Sequence, residues 1–228
     1  MGAPTCKRKW EAELGQLDWR GIGQRYTAGL MTPKDFGPHY KLILHRTMRT
    51  RGESWQRVPC CMCGAPHQRI IHWGACPGLR PVFDKLREVD GGERWDDPRL
   101  NLHGIGLGSN TNIAPDGQER KESSLTKVKT GPTMIHMITW KFILIALTKK
   151  SIEGAPVNTG EIIKAAQNRV QKRLDRLSVR LHSKKIKAEA RDAKANFDTE
   201  RKWTDGIGEI DEDGTFTKSA RLALWLTQ

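Results

Sequence analysis

Four residues in one short stretch have the types and the spacing to hold a metal ion. In Val58 to Leu86, VPCCMCGAPHQRIIHWGACPGLRPVFDKL, residues Cys60, Cys63, His72 and Cys76 fall in the order Cys-x2-Cys-x8-His-x3-Cys. Thiolate and neutral imidazole are the ligands that Zn²⁺ prefers, and four of them close a tetrahedral structural site. Two cysteines two residues apart suit a tight turn that brings both sulfurs to one ion. Gly64 follows at once, where such a turn needs a residue free to take positive φ. Cys61 is an adjacent alternative ligand, and His67 competes with His72. Buried thiols around a satisfied core histidine are the bland alternative, but four ligands between a turn and a helix favour Zn²⁺ as the cofactor.

The same stretch resembles the zinc-binding segment that follows the reverse transcriptase domain of non-LTR retroelements. The resemblance runs from Cys60 to Val89: Cys-x2-Cys-Gly, a polar loop, an apolar residue before the histidine, then Cys-Pro and an apolar-basic helix. It implies a CCHC zinc finger attached to nucleic-acid handling. Two features depart from that family. Gln68 and Arg69 stand where an acidic residue usually precedes the histidine, and His72 and Cys76 have three residues between them where four is usual.

The elements that must position these ligands follow from hydrophobic periodicity. Ile70 and Ile71 lead into His72, and Leu79, Val82, Phe83 and Leu86 have helical spacing after Cys76-Pro77, so residues 51–89 read as a small zinc-stabilised turn and helix. Residues 1–50 begin with a short amphipathic pattern and then carry too many Gly and Pro for a long helix. Residues 90–131 are rich in Gly, Asn, Asp and Pro and read as a long connection. Two motifs in that connection carry no chemistry. Gly104-Ile105-Gly106-Leu107-Gly108 lacks dinucleotide-fingerprint spacing, and Asp116 with Glu119-Arg120-Lys121 is too compact for a two-strand nuclease site.

Residues 132–150 hold the most apolar run, TMIHMITWKFILIAL, which is short for a bilayer span, is broken by Lys141, and reads as a buried helix. Residues 158–203 read as one long basic helix, capped by Thr159, with an apolar stripe at Ile163, Ala166, Val170, Leu174, Leu177 and Leu181. Residues 204–228 turn acidic, with a turn at Gly214-Thr215 and a closing helix. The expected fold class is therefore mainly α, with a small zinc module and a long basic amphipathic helix towards the C-terminus.

The chain has 228 residues and a formal net charge of +13, which points to a polyanionic partner, most often nucleic acid. Five cysteines, four of them clustered with a histidine, argue for metal in a reducing intracellular compartment rather than a secreted disulfide framework. No apolar run follows the basic N-terminus as a secretory signal would require, and no membrane partner is expected. The candidate nucleic-acid contacts are Arg69 and Arg80 beside the finger, and Lys164, Arg169, Lys172, Arg173, Arg176, Arg180, Lys184 and Lys185 along the basic helix. Lys and Arg contacts of this kind go to phosphates and give affinity more than sequence preference. Trp73, between two ligands, either stacks on a base or covers the metal site. The expected function is zinc-dependent binding of RNA or DNA without catalysis. A structural subunit of a larger protein or ribonucleoprotein assembly is the alternative.

Overall fold

The computed structural model describes residues 8, 10–12, 19, 32, 34–35, 37–39, 59–66, 70–90, 101–102 and 130–227. Within them the chain is mostly helical. The cysteine- and histidine-bearing segment comprises α1 (Ile70–Ala75), a 3-10 turn (Pro77–Leu79) and α2 (Arg80–Asp90). Two long helices follow, α3 (Thr130–Glu153) and α4 (Thr159–Glu189). The chain then closes through α5 (Asp198–Thr204), the strands β1 (Gly208–Ile210) and β2 (Phe216–Lys218), and α6 (Ala220–Thr227).

The core forms around α3, which is apolar on all sides and so must be covered on all sides. Met134, Ile135, Ile138, Trp140, Ile143, Leu144 and Leu147 are all buried, with α2, α4 and α5 packed against them. At 24 residues the helix is longer than its apolar run, and by length and composition it could cross a membrane. Its most apolar window is nevertheless 78% buried inside the protein, the condition of a core helix. The extra N-terminal turn exists because Gly131 presses against the chain after α5. Its N–H donates to the Asp205 carbonyl at 3.0 Å, and a Cβ there would lie 2.6 Å from Ile207 Cγ1.

α4 lays its apolar stripe on α3 and α2. The stripe begins at Ile162, which is buried, rather than at Ile163, which lies half-buried on its flank. Asn158, not Thr159, caps the helix: its side chain accepts from Gly160 N at 2.9 Å and Glu161 N at 3.3 Å. The helix also stops well before residue 203. Beyond Leu181 only the small, half-buried Ala188 continues the stripe, and Ile186 is 51% exposed, so extending the helix would bury little. Asp192 takes φ 49, and the chain turns back to set Phe197 and Ile210 on Leu177 and Leu181.

The hairpin pairs Ile210 with Phe216 in antiparallel register, with Gly214 in its turn. α6 then returns to the core through Leu222 and Trp225. Thus the acidic stretch does two things. Asp211 braces the turn by accepting from Thr215 N at 2.8 Å, while Asp213 reaches Lys185 of α4 at 3.6 Å.

Two interactions of α3 yield expected results. Trp140 is fully buried, its ring centroid lies 5.8 Å from that of Phe83, and its Nε1–H donates to the Asn101 carbonyl at 2.6 Å. Trp140→Phe strands that carbonyl and should cost about 1–3 kcal/mol in urea unfolding. His39 is also fully buried and donates from Nε2 to the Met137 carbonyl at 2.8 Å. Burial lowers its pKa from 6.5 to about 4, so the folded protein holds it neutral. Below pH 6.5 the unfolded chain takes up a proton that the folded chain refuses until about pH 4. Stability should therefore fall as pH drops through that interval, by about 3 kcal/mol in all. His39→Gln, which keeps a donor for Met137, should flatten the dependence in denaturant titrations at successive pH values.

Candidate metal centre and basic cleft

The segment from Cys60 to Ala65 closes a tight knuckle. Gly64 N–H donates to the Cys60 carbonyl at 2.8 Å and Cys60 N–H to the Ala65 carbonyl at 2.7 Å. Gly64 adopts φ 73, the left-handed conformation that a side chain resists. This turn places Cys60 and Cys63 on one side. Facing them, α1 presents His72, and the start of the 3-10 turn presents Cys76, with Leu79 N–H bonded to the Cys76 carbonyl at 2.9 Å.

The four ligand atoms all lie within 4.8 Å of one another. Cys60 Sγ and Cys76 Sγ are 3.7 Å apart, and Cys63 Sγ is 3.2 Å from His72 Nε2. A tetrahedral ion with metal–sulfur bonds of about 2.3 Å has sulfur–sulfur edges of about 3.8 Å, so this group suits a metal ion. The cysteines are free thiols, not a disulfide. Cys61 is half-buried against the core and stands outside the four-atom group, while His67 lies outside the described residues.

The charge balance of the thiols points the same way. Cys60 is lowered to about 4 by the hydrogen bond from the Cys76 thiol, against burial, with help from the Met62 and Cys63 backbone N–H groups. Cys76 is pushed above the usual thiol range, because its proton is held by Cys60 and because it is buried. The protein's own groups thus stabilise one thiolate of the pair. A cation between the sulfurs favours both, and a coordinating thiol is deprotonated outright. Backbone N–H groups on the sulfurs (Met62, Cys63 and Gly78) supply the outer hydrogen bonds that tune such ligands.

The centre is tied into the core rather than hung from it. Asn101 Nδ2 donates to the Gly74 carbonyl, between His72 and Cys76, at 2.6 Å, and the Asn101 carbonyl takes the Trp140 indole proton. Trp73 is fully buried in the same core and so cannot stack on a base.

The candidate phosphate contacts separate into distinct groups. Arg69 lies outside the described residues. Arg80 is exposed on α2 and sits 3.7 Å from Asp84. On α4, Arg169, Arg173, Arg176, Arg180, Lys184 and Lys187 recur at steps of three and four, forming one ridge along the edge of the apolar stripe. Lys164, Lys172 and Lys185 fall off that ridge, and Lys185 leans to Asp213.

The ridge is anchored at both ends by buried carboxylates. At one end Arg169 grips Asp35 through Nη2 to Oδ2 at 2.6 Å and Nε to Oδ1 at 3.1 Å, while Lys141 Nζ takes Oδ1 at 2.6 Å. Asp35 is 1% exposed, Lys141 11% and Arg169 22%. Burial alone would raise the Asp35 pKa, but Arg169, Lys141 and Thr32 outweigh it and hold the carboxyl well below the usual range. At the other end Lys184 Nζ reaches the buried Glu200 at 2.7 Å, with Arg180 at 3.9 Å. Arg169 and Lys184, expected as phosphate contacts, therefore serve the fold. Between them Arg173 sits 5.3 Å over the Trp203 ring, and its burial lowers its pKa.

α5 faces this ridge across a cleft of about 1160 Å³. Its far wall contributes Arg201, Lys202 and Trp203, and its floor holds Thr32 and Asp35. Sequence reasoning missed Arg201, Lys202 and Asp35. A signal for Asp35 was present: Thr32-Pro33-Lys34-Asp35 has the Ser/Thr-x-x-acid form of a helix start with Pro at the first position. Thr32 Oγ1 indeed accepts from Asp35 N at 3.3 Å. Nothing local marked that carboxylate as the partner of Arg169. Comparison of the chain with family models, with curated proteins and with solved structures finds no match to any of them.

Proposed function

We propose that this chain is a zinc-stabilised, non-catalytic nucleic-acid-binding protein. The observation that carries this reading is the ridge on α4: cations at 169, 173, 176, 180, 184 and 187, of which Arg169 and Lys184 are matched by buried Asp35 and Glu200, while Arg176 and Lys187 have no acid beside them on the ridge. A row of like charge costs self-repulsion, and a polyanion relieves it. The net charge of +13 supports the same class of partner. Three sulfurs and one nitrogen in a compact group favour zinc over oxygen-preferring Mg²⁺ and Ca²⁺, which disfavour thiolates. The resemblance of Cys60–Val89 to the zinc segment of non-LTR retroelement proteins agrees with both halves of the proposal. Its role here is scaffolding: the ion locks α1 and α2 against α3, and α3 in turn carries α4.

The test is a salt titration of binding to RNA and DNA of unrelated sequence, on protein whose metal content has been measured. One zinc per chain is expected. Log affinity should fall linearly with log salt, with a slope of about 0.7–0.9 for each phosphate contact and little difference between sequences. A flat salt dependence would overturn the nucleic-acid half, and a metal-free, fully folded preparation the zinc half.

A second reading has one observation behind it. Val179 and Ile186, 71% and 51% exposed, lie two turns apart on the outer face of α4. An apolar pair there suits a subunit docked into a larger assembly. Stable co-purification with a protein partner after nuclease treatment would favour it.

A further inference from the structure

We propose that the cleft between α4 and α5 takes the backbone of single-stranded, not duplex, nucleic acid. This rests on the nucleic-acid reading above and specifies its substrate. Six cations line the cleft from two facing walls: Arg169, Arg173, Arg176 and Arg180 on α4, Arg201 and Lys202 on α5. Two carboxylates line it with them, Asp35 and Asp205, and Asp35 is already matched by Lys141 and Arg169. Arg180 lies 3.9 Å from Glu200, and Arg201 lies 3.9 Å from Asp198 and donates to the Ile210 and Asp211 carbonyls, which leaves Arg176 and Lys202 to set the field. Arg176 and Lys202 are exposed, and neither makes an ion pair or hydrogen bond among the described residues. The cleft is thus positive on both sides, which is unfavourable until an anion enters.

The shape decides which anion. The walls approach closely, since Arg173 of α4 lies 5.3 Å from the Trp203 ring of α5, whereas the phosphates of a duplex lie on a convex cylinder that can meet one ridge but not enter so narrow a gap. A single strand can, because its backbone is thin and its bases are free to turn outward. Arg169 to Arg180 spans about 16 Å of helix axis. That accommodates on the order of four nucleotides, the lower end of the site sizes found for positively charged grooves. Arg173 is held against the Trp203 ring, so one guanidinium is fixed in the cleft before ligand arrives. A fixed group loses less conformational freedom on binding than a mobile one.

The experiment measures anisotropy of labelled oligo(dT), oligo(U) and a mixed-sequence duplex, each of about 12 nucleotides or base pairs, with the full chain at about 150 mM salt. Wild type should bind the single strands at least about tenfold more tightly than the duplex. Arg176→Gln/Lys202→Gln should weaken single-strand binding by about tenfold or more and reduce its salt slope by about 1.4, two contacts' worth. Lys149→Gln/Arg221→Gln removes the same charge from exposed sites outside the cleft and should change affinity by less than about twofold, which separates a site from a general field. Equal binding of duplex and single strand, or equal loss in both double variants, would overturn the cleft while leaving the nucleic-acid reading intact. Absence of any binding by wild type would overturn both. Melting curves of each variant accompany the titrations, and since Arg176 and Lys202 are exposed and make no ion pair among the described residues, no shift is expected.

Discussion

Cys60→Ser and Cys76→Ser are expected to abolish binding of the proposed zinc and to unfold the segment from Pro59 to Asp90. A structural zinc site forms only in the folded chain, so its binding energy is folding energy; apparent values in isolated zinc modules are about 10–16 kcal/mol at neutral pH. Cys60 and Cys76 are both buried, in the core that also holds Trp73, Leu79, Val82 and Phe83. That core is continuous with α3, so losing the ion should lower the stability of the whole core and not of a detachable finger. Cys63 is exposed, and water can replace its sulfur, so Cys63→Ser should retain more metal than the buried variants. Metal analysis and the near-ultraviolet signal of the buried tryptophans follow the two effects. A chelator-treated wild type that keeps its melting temperature would sink the expectation.

Asp35→Ala should be the most damaging single change outside the metal centre, at about 3–5 kcal/mol. Removing one member of a buried ion pair leaves the partner's charge uncompensated, and here two partners are left. Lys141 and Arg169 both point at this carboxylate at 2.6 Å. Replacing Asp35 and Lys141 together by apolar residues should cost less than Asp35→Ala alone, since no lone charge then stays behind on α3. The same group sets an acid limit. Its folded pKa is depressed below the ordinary 3.8, so its contribution is fully present above that pH and is lost as pH falls beneath it. The window lies below the one set by His39, so denaturant midpoints should decline in two stages on acidification. In Asp35→Ala the lower stage should vanish; persistence of that stage would show that other carboxylates account for it.

Arg169 shows why these effects are divided as they are. Judged from spacing alone it belongs with Arg173, Arg176 and Arg180, as a side chain off the apolar stripe whose neutralisation leaves stability alone. Its partner sits 134 residues away in sequence, and the contact makes Arg169 part of the core's electrostatics. Arg169→Gln should therefore behave as a stability variant, and binding studies on the ridge are cleaner with Arg176.

The amino-acid sequence by itself determined what depends on near neighbours. The order of cysteines and histidine marks a group of ligands able to meet, because a knuckle and a helix start are made within a few residues, while the fold set Cys61 outside it. Gly64 announces its positive φ, the apolar run announces a helix with no face for water, and the steps of three and four at Ala166, Val170, Leu174, Leu177 and Leu181 announce which side of α4 is buried. The mainly helical class follows from these patterns. Only the tertiary structure decided where α4 ends, which cations are spent on Asp35 and Glu200, that Trp73 is closed off, and that Arg201 and Lys202 face the ridge across a cleft. Each of these is a meeting between residues brought together by packing, and burial changes the worth of a charge from nearly nothing in water to several kcal/mol beside an unpaired partner. Periodicity records which face of an element seeks the core; what that face will meet there is settled by the other elements that arrive.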